Sequence, residues 1–411
     1  MAKLAINGGG KVRTAPWPGW PVFNDTDRQA LIEVLETGAW GMGGPEIPAM
    51  LREFAEFHDA QHGIAVTSGT TALETALRAA QVGAGCEVIV PPYTFIATAN
   101  APIMVGAIPV FADIDPDTYC LDPQAAEAAI TPFTRAIIVV HIGGSPGNMD
   151  AFLDLAERYK LILIEDCAQA HGAEWRGRKV GAIGHLGAFS FQSSKNVCAG
   201  EGGVILSNDA ELAARAWSIA NVGRVPEGAW YDHRVLGANL RLTEFQAALI
   251  RCGLRRLPEH MARRDENAFY LRQRLDVIPG LGYCAMYEGA TRNAWHLFIG
   301  KYDADQFGGL SRDKFIEAVA AEGIPIASGY NPLYQEQSFQ KGWNPEACPF
   351  ACRFYGGRVD YTTVHCEVAE RACHTEGWWL YQSALLGTKK DMDDIAAAIE
   401  KVRENVGEIP A

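Results

Sequence analysis

Three segments of the sequence carry side chains that could take part in chemistry. The segment SFQSSKNVCAGEGG (190–203) places Lys195 between small polar residues and a glycine-rich turn. The apolar run that opens LILIEDCAQAHGA (161–173) ends at Asp166, and VTSGTTALETAL (66–77) passes from a strand-like run to a helical pattern at SGTT. Free N–H groups at the start of a helix bind phosphate. A carboxylate at the carboxyl end of a parallel strand lies where open α/β sheets bind ligands.

Each of these features also has a purely structural explanation. Most lysines are solvated surface charges. Thr71 and Glu74 could form a capping box at the start of the helix, and Asp166 could cap the helix that follows its strand. Capping and phosphate binding are compatible, so the segment SGTT alone leaves the function open.

Together the three features fit one cofactor. Pyridoxal phosphate needs a cradle for its phosphate, an anionic partner for its pyridinium nitrogen and an amine for its aldehyde. We therefore predict that SGTT binds the phosphate, that Asp166 keeps the ring nitrogen protonated and that Lys195 binds the aldehyde. Once released, the Lys195 amine could carry a proton to and from the substrate, provided that burial and the cationic cofactor lower its pKa.

Two other motifs suggest different chemistry. The segment GGSPG (143–147) matches the nucleophile elbow of hydrolases, but Pro146 lacks the backbone N–H that the oxyanion hole would need. A zinc site is conceivable in the C-terminal third, but the spacing there contains no Cys-x2-Cys pair, and we predict no metal site. The residues concerned are Cys348, Cys352, His365, Cys366, Cys373 and His374.

The elements that would position these residues are typical of an α/β fold. Short Val/Ile/Leu runs alternate with amphipathic helical patterns between about residues 60 and 210, which predicts a mainly parallel sheet covered on both faces. The predicted strands are GIAVTS, EVIVPP, IPVFADI, AIIVVHI, LILIEDC, GAFSFQ and GGVILSN.

A long helical stretch follows at about 242–276 and is predicted to be interrupted near Pro258. We place the domain boundary there. The prediction is an N-terminal arm at 1–20, a large cofactor-binding α/β domain at 21–260 and a small C-terminal α+β domain at 261–411.

Composition narrows the class of protein. The chain has 411 residues, 48% of them hydrophobic, and a formal net charge of −13, which argues against nucleic acid or an anionic membrane as a partner. No apolar stretch approaches the roughly 20 residues of a membrane span or resembles a signal peptide. We expect a cytoplasmic protein whose ten scattered cysteines are reduced.

The order of the motifs resembles that of the DegT/DnrJ/EryC1/StrS family, the pyridoxal-phosphate aminotransferases of keto sugars and keto cyclitols. The resemblance covers nearly the whole chain and implies the fold type I, aspartate-aminotransferase-like fold of this cofactor class. It is carried by NGG, TGAWGMGGPEI, SGTTAL, EVIVPPYTFIATANA, PVFADIDPDTY, EDCAQAHGA, SFQSSKNVCAGEGG and GANLRLTEFQAAL.

The resemblance implies a role for each matching residue. Lys195 would bind the cofactor aldehyde, Asp166 would pair with the ring nitrogen and Gln169 would contact the ring face or its phenolic oxygen. Asn239 would reach the phosphate of a second subunit, which implies a homodimer with shared active sites. The remaining cofactor-binding residues would be Gly69, Thr70, Thr71 and Ser190 at the phosphate and Phe95 stacked on the ring.

The residues of these motifs are most similar to those of glutamine-dependent inosose aminotransferases and aminohydroxybenzoate synthases. This implies transfer of an amino group from L-glutamine or L-glutamate to a keto cyclitol such as an inosose, in antibiotic biosynthesis. His141, Tyr330 and Tyr334 are candidate substrate contacts. The retained Lys195 argues against the dehydratase branch, which has histidine there.

Besides an aminohydroxybenzoate synthase-like enzyme, two alternatives stay open at this point. One is an aminotransferase of nucleotide-linked keto sugars that uses L-glutamate, which a basic cluster at the mouth of the site would favour. The other is a regulatory protein that holds the cofactor without turnover, although the chain has no basic DNA-binding extension.

Overall fold

The computed structural model describes residues 3–340, 354–355 and 359–409. Cys348 and Cys352 of the conceivable zinc site lie outside the described residues. Within the described part, no helix has the length and apolar character needed to cross a membrane.

The strands form one large sheet and two smaller ones. In chain order the strands are β1 (His62–Val66), β2 (Glu87–Val90), β3 (Ile108–Phe111), β4 (Thr134–Val140), β5 (Ile162–Asp166), β6 (Glu174–Trp175), β7 (Arg178–Lys179), β8 (Leu186–Ser190), β9 (Gly203–Ser207), β10 (Leu281–Tyr283), β11 (Ala290–Arg292), β12 (Leu297–Tyr302), β13 (Ile326–Ala327) and β14 (Gly377–Tyr381).

Helices cover both faces of the seven-stranded sheet and one side of the four-stranded sheet. They are α1 (Asp25–Thr37), α2 (Glu46–Phe57), α3 (Gly69–Ala79), α4 (Ala97–Met104), α5 (Pro123–Ala128), α6 (Met149–Tyr159), α7 (Ala210–Ala220), α8 (Glu244–Leu275), α9 (Arg312–Ala321), α10 (Gln337–Gln340), α11 (Glu367–Arg371) and α12 (Lys389–Glu404).

The large sheet has the order β1-β9-β8-β5-β4-β2-β3, and its seven strands are the seven predicted from the apolar runs. Pairing is parallel from β8 through β5, β4 and β2 to β3, and antiparallel on both sides of β9. Six strands therefore run in one direction and β9 runs against them. The segments that follow β1, β2, β4, β5 and β8 all meet at one edge of the sheet.

Burial on both faces explains why these strands read as continuous apolar runs. Side chains alternate across a strand. In β4, Ile137 and Val139 belong to the hydrophobic core on one face, and Ile138 and Val140 to the core on the other. The prediction of a mainly parallel, doubly covered sheet is confirmed.

A third core lies under the four-stranded antiparallel sheet, whose order is β10-β12-β14-β13. Phe298 and Trp378 from this sheet pack with Ile395 of α12. Leu4 is buried in the same core, and Arg13 forms ion pairs with two aspartates of α12. The N-terminal segment is thus packed against the C-terminal part of the chain.

The predicted interruption near Pro258 is wrong, because α8 is one helix from Glu244 to Leu275. Pro258 removes one N–H from the helix ladder, a local loss. Packing along the whole helix outweighs this loss: Arg256 pairs with Asp27 of α1, and Tyr270 bonds to Asp393 of α12. The predicted boundary between 260 and 261 therefore falls inside a continuous helix.

Gly300 of β12 offers a test of the small sheet. A Cβ at Gly300 would overlap the buried indole of Trp378, whereas a Cβ at Gly282 of β10 would lie 3.6 Å from the Cβ of Lys301, an ordinary contact. We expect Gly300→Ala to destabilise the protein by about 1–3 kcal/mol through overpacking. Gly282→Ala is the matched control and should be neutral. Thermal unfolding followed by circular dichroism would measure both, and equal midpoints would contradict the packing described here.

Candidate active site

A cavity of about 580 Å³ lies at the sheet edge where the strands end. It is bordered on one side by the large sheet and on the other by residues at or near β12 and β14. Eight residues predicted from the sequence line it: Gly69, Thr70, Phe95, Asp166, Gln169, Ser190, Lys195 and Tyr330.

The start of α3 forms one wall of the cavity. Ser68 is the N-cap, and its hydroxyl accepts a hydrogen bond from the Thr71 N–H. The capping box therefore pairs Ser68 with Thr71, whereas the sequence suggested a pair of Thr71 and Glu74. Within the described chain, the N–H groups of Gly69 and Thr70 have no hydrogen-bond partner. They are available to an anion, while the Thr71 hydroxyl is used in capping and does not line the cavity.

At Gly69, α3 lies close to β8. A Cβ at Gly69 would lie 2.7 Å from the Cβ of Ser190, closer than real side chains come. The absence of a side chain thus lets the Ser190 hydroxyl lie beside the free amides of α3. Two amides and the hydroxyls of Thr70 and Ser190 form a set of donors that suits a phosphate group.

Asp166 is the last residue of β5 and is buried at the cavity. Its Oδ1 accepts a hydrogen bond of 3.1 Å from the Ala168 N–H, and its Oδ2 accepts one of 2.9 Å from the Thr98 hydroxyl. Burial raises the pKa of Asp166, and these two bonds and the Lys195 charge oppose that effect. The carboxylate is therefore held in place and still suited to a cationic partner.

Lys195 lies in the loop after β8 and is half-buried at the cavity. Burial lowers the pKa of Lys195, and the negative charge of Asp166 acts in the opposite direction. Lowering the pKa increases the fraction of neutral amine at a given pH. A neutral amine is the form that attacks an aldehyde or accepts a proton.

Gln169 joins the sheet edge to the segment before α10. Its Oε1 accepts a hydrogen bond of 2.7 Å from the Gly143 N–H, and its Nε2 donates one of 2.8 Å to the Tyr330 hydroxyl. The GGSPG segment (143–147) thus supports Gln169, and its Ser145 is buried. Because the Tyr330 oxygen already accepts a bond, its hydroxyl proton is free to point to a ligand.

His141 does not line the cavity. It is fully buried; its Nδ1 accepts a hydrogen bond from the Gly147 N–H at 3.1 Å, so Nε2 carries the proton and donates to Glu165 at 3.1 Å. Burial acts to raise the pKa of Glu165, but bonds from His141 and the amides of Gly181 and Gly184 outweigh it, and the pKa is lowered. The predicted substrate contact of His141 finds no support in this arrangement.

The same cluster has the ligand types of a metal site. Nitrogen, oxygen and sulfur atoms of His141, Glu165 and Cys167 lie within 4.8 Å of one another. However, backbone N–H groups and the imidazole N–H already occupy the lone pairs of His141 and Glu165. We assign this cluster a structural role beneath Asp166.

Tyr334 and Asn239 also lie outside the cavity lining. Tyr334 is buried; its hydroxyl donates to Glu370 at 2.5 Å and accepts from the Cys366 N–H, which does not support a substrate contact. Asn239 is exposed and pairs with Asn221 in an isolated bridge. Its predicted role needs a second subunit and stays a prediction.

Several residues that line the cavity were not predicted from the sequence. Thr98 lies four residues after Thr94, a helical spacing at the start of α4. His296 is a polar residue at the start of the strand pattern AWHLFIGKY. In GWWLY, Trp379 and Tyr381 alternate with Trp378 and Leu380, which belong to the core under the four-stranded sheet. These signals were present, but only the tertiary structure brings them to Asp166 and Lys195. Polar and aromatic residues among those missed are Thr94, Thr98, Glu201, His296, Trp379 and Tyr381.

The model of the DegT/DnrJ/EryC1/StrS aminotransferase family matches residues 21–365. The chain belongs to this family. It is therefore an aminotransferase, and the family uses pyridoxal phosphate.

Full-length relatives share much of the sequence of this aminotransferase. The putative L-glutamine:3-amino-2,3-dideoxy-scyllo-inosose aminotransferase of Streptoalloteichus tenebrarius is 40% identical over 414 residues, 98% of this chain and 99% of that protein. The L-glutamine:2-deoxy-scyllo-inosose aminotransferase of the same organism is 40% identical over 429 residues, 99% of each chain. The fold matches the crystal structure of 3-amino-5-hydroxybenzoic acid synthase with a TM-score of 0.84 and 34% identity, over 95% of this chain and 99% of that one.

The opposing effects on Lys195 give a testable order of pKa values. Burial lowers the pKa below the ordinary 10.5 and Asp166 raises it, so Asp166→Asn should lower it further. We would label the cofactor-free aminotransferase with acetic anhydride between about pH 7 and 11 and read each lysine by mass spectrometry. Surface lysines in the same sample are the internal reference. A higher pKa of Lys195 in Asp166→Asn would contradict this electrostatic description.

Proposed function

We propose that this aminotransferase binds pyridoxal phosphate in the cavity and transfers an amino group from L-glutamine to a keto cyclitol such as an inosose. The observation that carries the proposal is the meeting of three groups at one cavity: the Lys195 amine, the buried Asp166 carboxylate and the unpaired amides of α3. When bound, pyridoxal phosphate would supply an aldehyde that can carry the amino group and a ring that can act as an electron sink.

The lining residues fit the three parts of this cofactor. The amides of Gly69 and Thr70, with the Thr70 and Ser190 hydroxyls, would hold the phosphate. Asp166 would accept a hydrogen bond from the protonated ring nitrogen and so keep it protonated. Phe95 is 59% exposed in the single chain and borders the cavity, so its ring face is free to stack on an aromatic ligand.

Lys195 has two tasks in this proposal. Its amine would hold the cofactor aldehyde, and the free amine would move a proton at the substrate carbon. The lowered pKa serves both tasks because each needs the neutral amine at some stage. Gln169, fixed between Gly143 and Tyr330, would lie against the ring and limit its tilt.

The charge of one residue that lines the cavity favours an acceptor that carries no phosphate group. Glu201 is exposed and borders the cavity, where its negative charge repels the diphosphate of a nucleotide sugar. A keto cyclitol such as an inosose carries no phosphate and presents hydroxyl groups beside its ketone. The similarity to two L-glutamine:inosose aminotransferases at 40% identity supports the same acceptor and L-glutamine as donor.

An aminohydroxybenzoate synthase is the second candidate, because a synthase of that type shares the fold at 34% identity. The two candidates differ in product, and an assay separates them. Purified protein would be incubated with keto cyclitols, nucleotide-linked keto sugars or a precursor of aminohydroxybenzoate, each with L-glutamine or L-glutamate. The products would be identified by mass spectrometry.

We expect the wild type to form aminated cyclitol with L-glutamine. In Lys195→Ala the rate of product formation should fall by at least about 10³-fold. Borohydride reduction should fix the cofactor on the Lys195 peptide of the wild type. Lys179→Ala is the control, since Lys179 lies outside the cavity lining. Amination of nucleotide sugars alone, or fixation on another lysine, would reject the proposal.

We further propose a homodimer in which Asn239 contacts the phosphate of the cofactor bound to the partner subunit. The segment that precedes Asn239 exposes large apolar side chains: Trp230 at 60%, Tyr231 at 83% and Leu236 at 94%. Clustered apolar exposure of this kind marks an interaction surface, and a second copy would cover it.

Subunit mixing tests this arrangement. Lys195→Ala keeps Asn239, and Asn239→Ala keeps Lys195, so a mixed dimer would contain one intact site. We expect each variant alone to be impaired and an equimolar refolded mixture to recover about a quarter of the wild-type activity, as for random pairing in a two-fold dimer. Activity equal to the mean of the two variants would show that the site is built from one chain.

A further inference from the structure

His296 borders the cavity although only 4% of its surface is exposed. Its Nδ1 lies 3.2 Å from Oδ1 of Asn196, the residue after Lys195. The Asn196 Nδ2 donates to the Ala294 carbonyl at 2.7 Å, which leaves Oδ1 as an acceptor. His296 Nδ1 therefore carries the proton, and Nε2 keeps an unshared electron pair.

The Nε2 atom is available to a ligand. It has no hydrogen-bond partner among the described residues, and it is not sealed from the cavity. Burial lowers the pKa of His296 well below its ordinary value, and the charge of Lys195 lowers it further. The imidazole is thus neutral near pH 7 and acts at Nε2 as a hydrogen-bond acceptor.

The backbone of Trp295, the residue before His296, has an unusual conformation. Trp295 has φ of 51°, in the left-handed region that bulky residues rarely adopt. Its N–H bonds to Asn293 Oδ1 at 2.7 Å, and its indole N–H bonds to Asp265 at 2.7 Å. Gly144 allows the close approach, because a Cβ there would lie 2.8 Å from the Trp295 nitrogen.

We propose that His296 Nε2 accepts a hydrogen bond from a ring hydroxyl of the keto acceptor and so is a specificity-determining residue. The inference deepens the proposed function and rests on it. Tyr330 complements His296 across the same cavity, since its hydroxyl accepts from Gln169 and can donate to the ligand. One acceptor and one donor suit a polyhydroxylated ring, and an unshared pair at Nε2 disfavours a carboxylate or phosphate at that point.

Two substitutions separate the roles of the two ring nitrogens. In His296→Asn the amide can still donate to Asn196, but nothing replaces Nε2. In His296→Gln an amide oxygen can reach the position of Nε2. We expect His296→Asn to raise the KM for the keto cyclitol by about 3- to 10-fold, the usual contribution of one neutral hydrogen bond, and His296→Gln to restore most of the loss.

The effect should fall on the acceptor half of the reaction. Reaction of the holoenzyme with L-glutamine, followed by absorbance, should change much less in His296→Asn than reaction with the acceptor. Calorimetric binding of scyllo-inositol, a ring polyol without a ketone, should weaken by the same factor as KM rises. A comparable loss in both half-reactions would overturn the assignment, because His296 would then serve the shared part of the site.

A series of monodeoxy keto cyclitols tests the inference on the wild type without relying on the folding of a variant. One of them should lose affinity with the wild type and show no further loss with His296→Asn, the coupling expected of a direct contact. Equal KM values across the series, or unchanged scyllo-inositol binding in His296→Asn, would overturn the inference. Failure of the proposed function is a separate result: no keto cyclitol would be aminated by the wild type.

Discussion

The structure depends on one buried carboxylate at the edge of the large sheet. Asp166 is removed from water, which disfavours its charged form, and the surroundings oppose that effect with the Ala168 amide, the Thr98 hydroxyl and the Lys195 amine. The same burial lowers the pKa of Lys195. The two charges are therefore coupled, and the cavity between them is suited to a ligand that carries a positive ring nitrogen and an aldehyde.

The carboxylate next in sequence has a different task. Side chains alternate along β5, so Glu165 and Asp166 lie on opposite faces of the sheet. Glu165 accepts bonds from three backbone amides and from His141, and it ties the loop before β8 to the strand. One acidic pair thus supplies a structural anchor and a ligand-facing charge, and the alternation of the strand decides which residue does which.

The cavity is completed by distant parts of the chain. The turn before β12 presents His296, and the segment after β13 presents Tyr330, while Trp379 comes from β14. The GGSPG segment connects the two sides, since Gly143 bonds to Gln169 and Gly144 packs on the Trp295 turn. A motif that resembles a hydrolase nucleophile in sequence is here a support for two cavity residues.

Local signals in the sequence determined much of this protein. Seven apolar runs became the seven strands of the large sheet, and Lys195, Asp166 and SGTT came to one cavity because the strands before them end at one edge. These signals act over a few residues, as strand periodicity and helix capping do. The order of several motifs along the chain also indicated the aminotransferase family to which the protein belongs.

Only the tertiary structure decided the rest. The sequence alone predicted a break at Pro258, but packing against α1 and α12 keeps α8 continuous. It suggested His141 and Tyr334 as substrate contacts, but both side chains are buried and make hydrogen bonds within the protein. It missed His296, because the position of that side chain depends on contacts with residues about a hundred positions away, and such contacts leave no local pattern in the sequence.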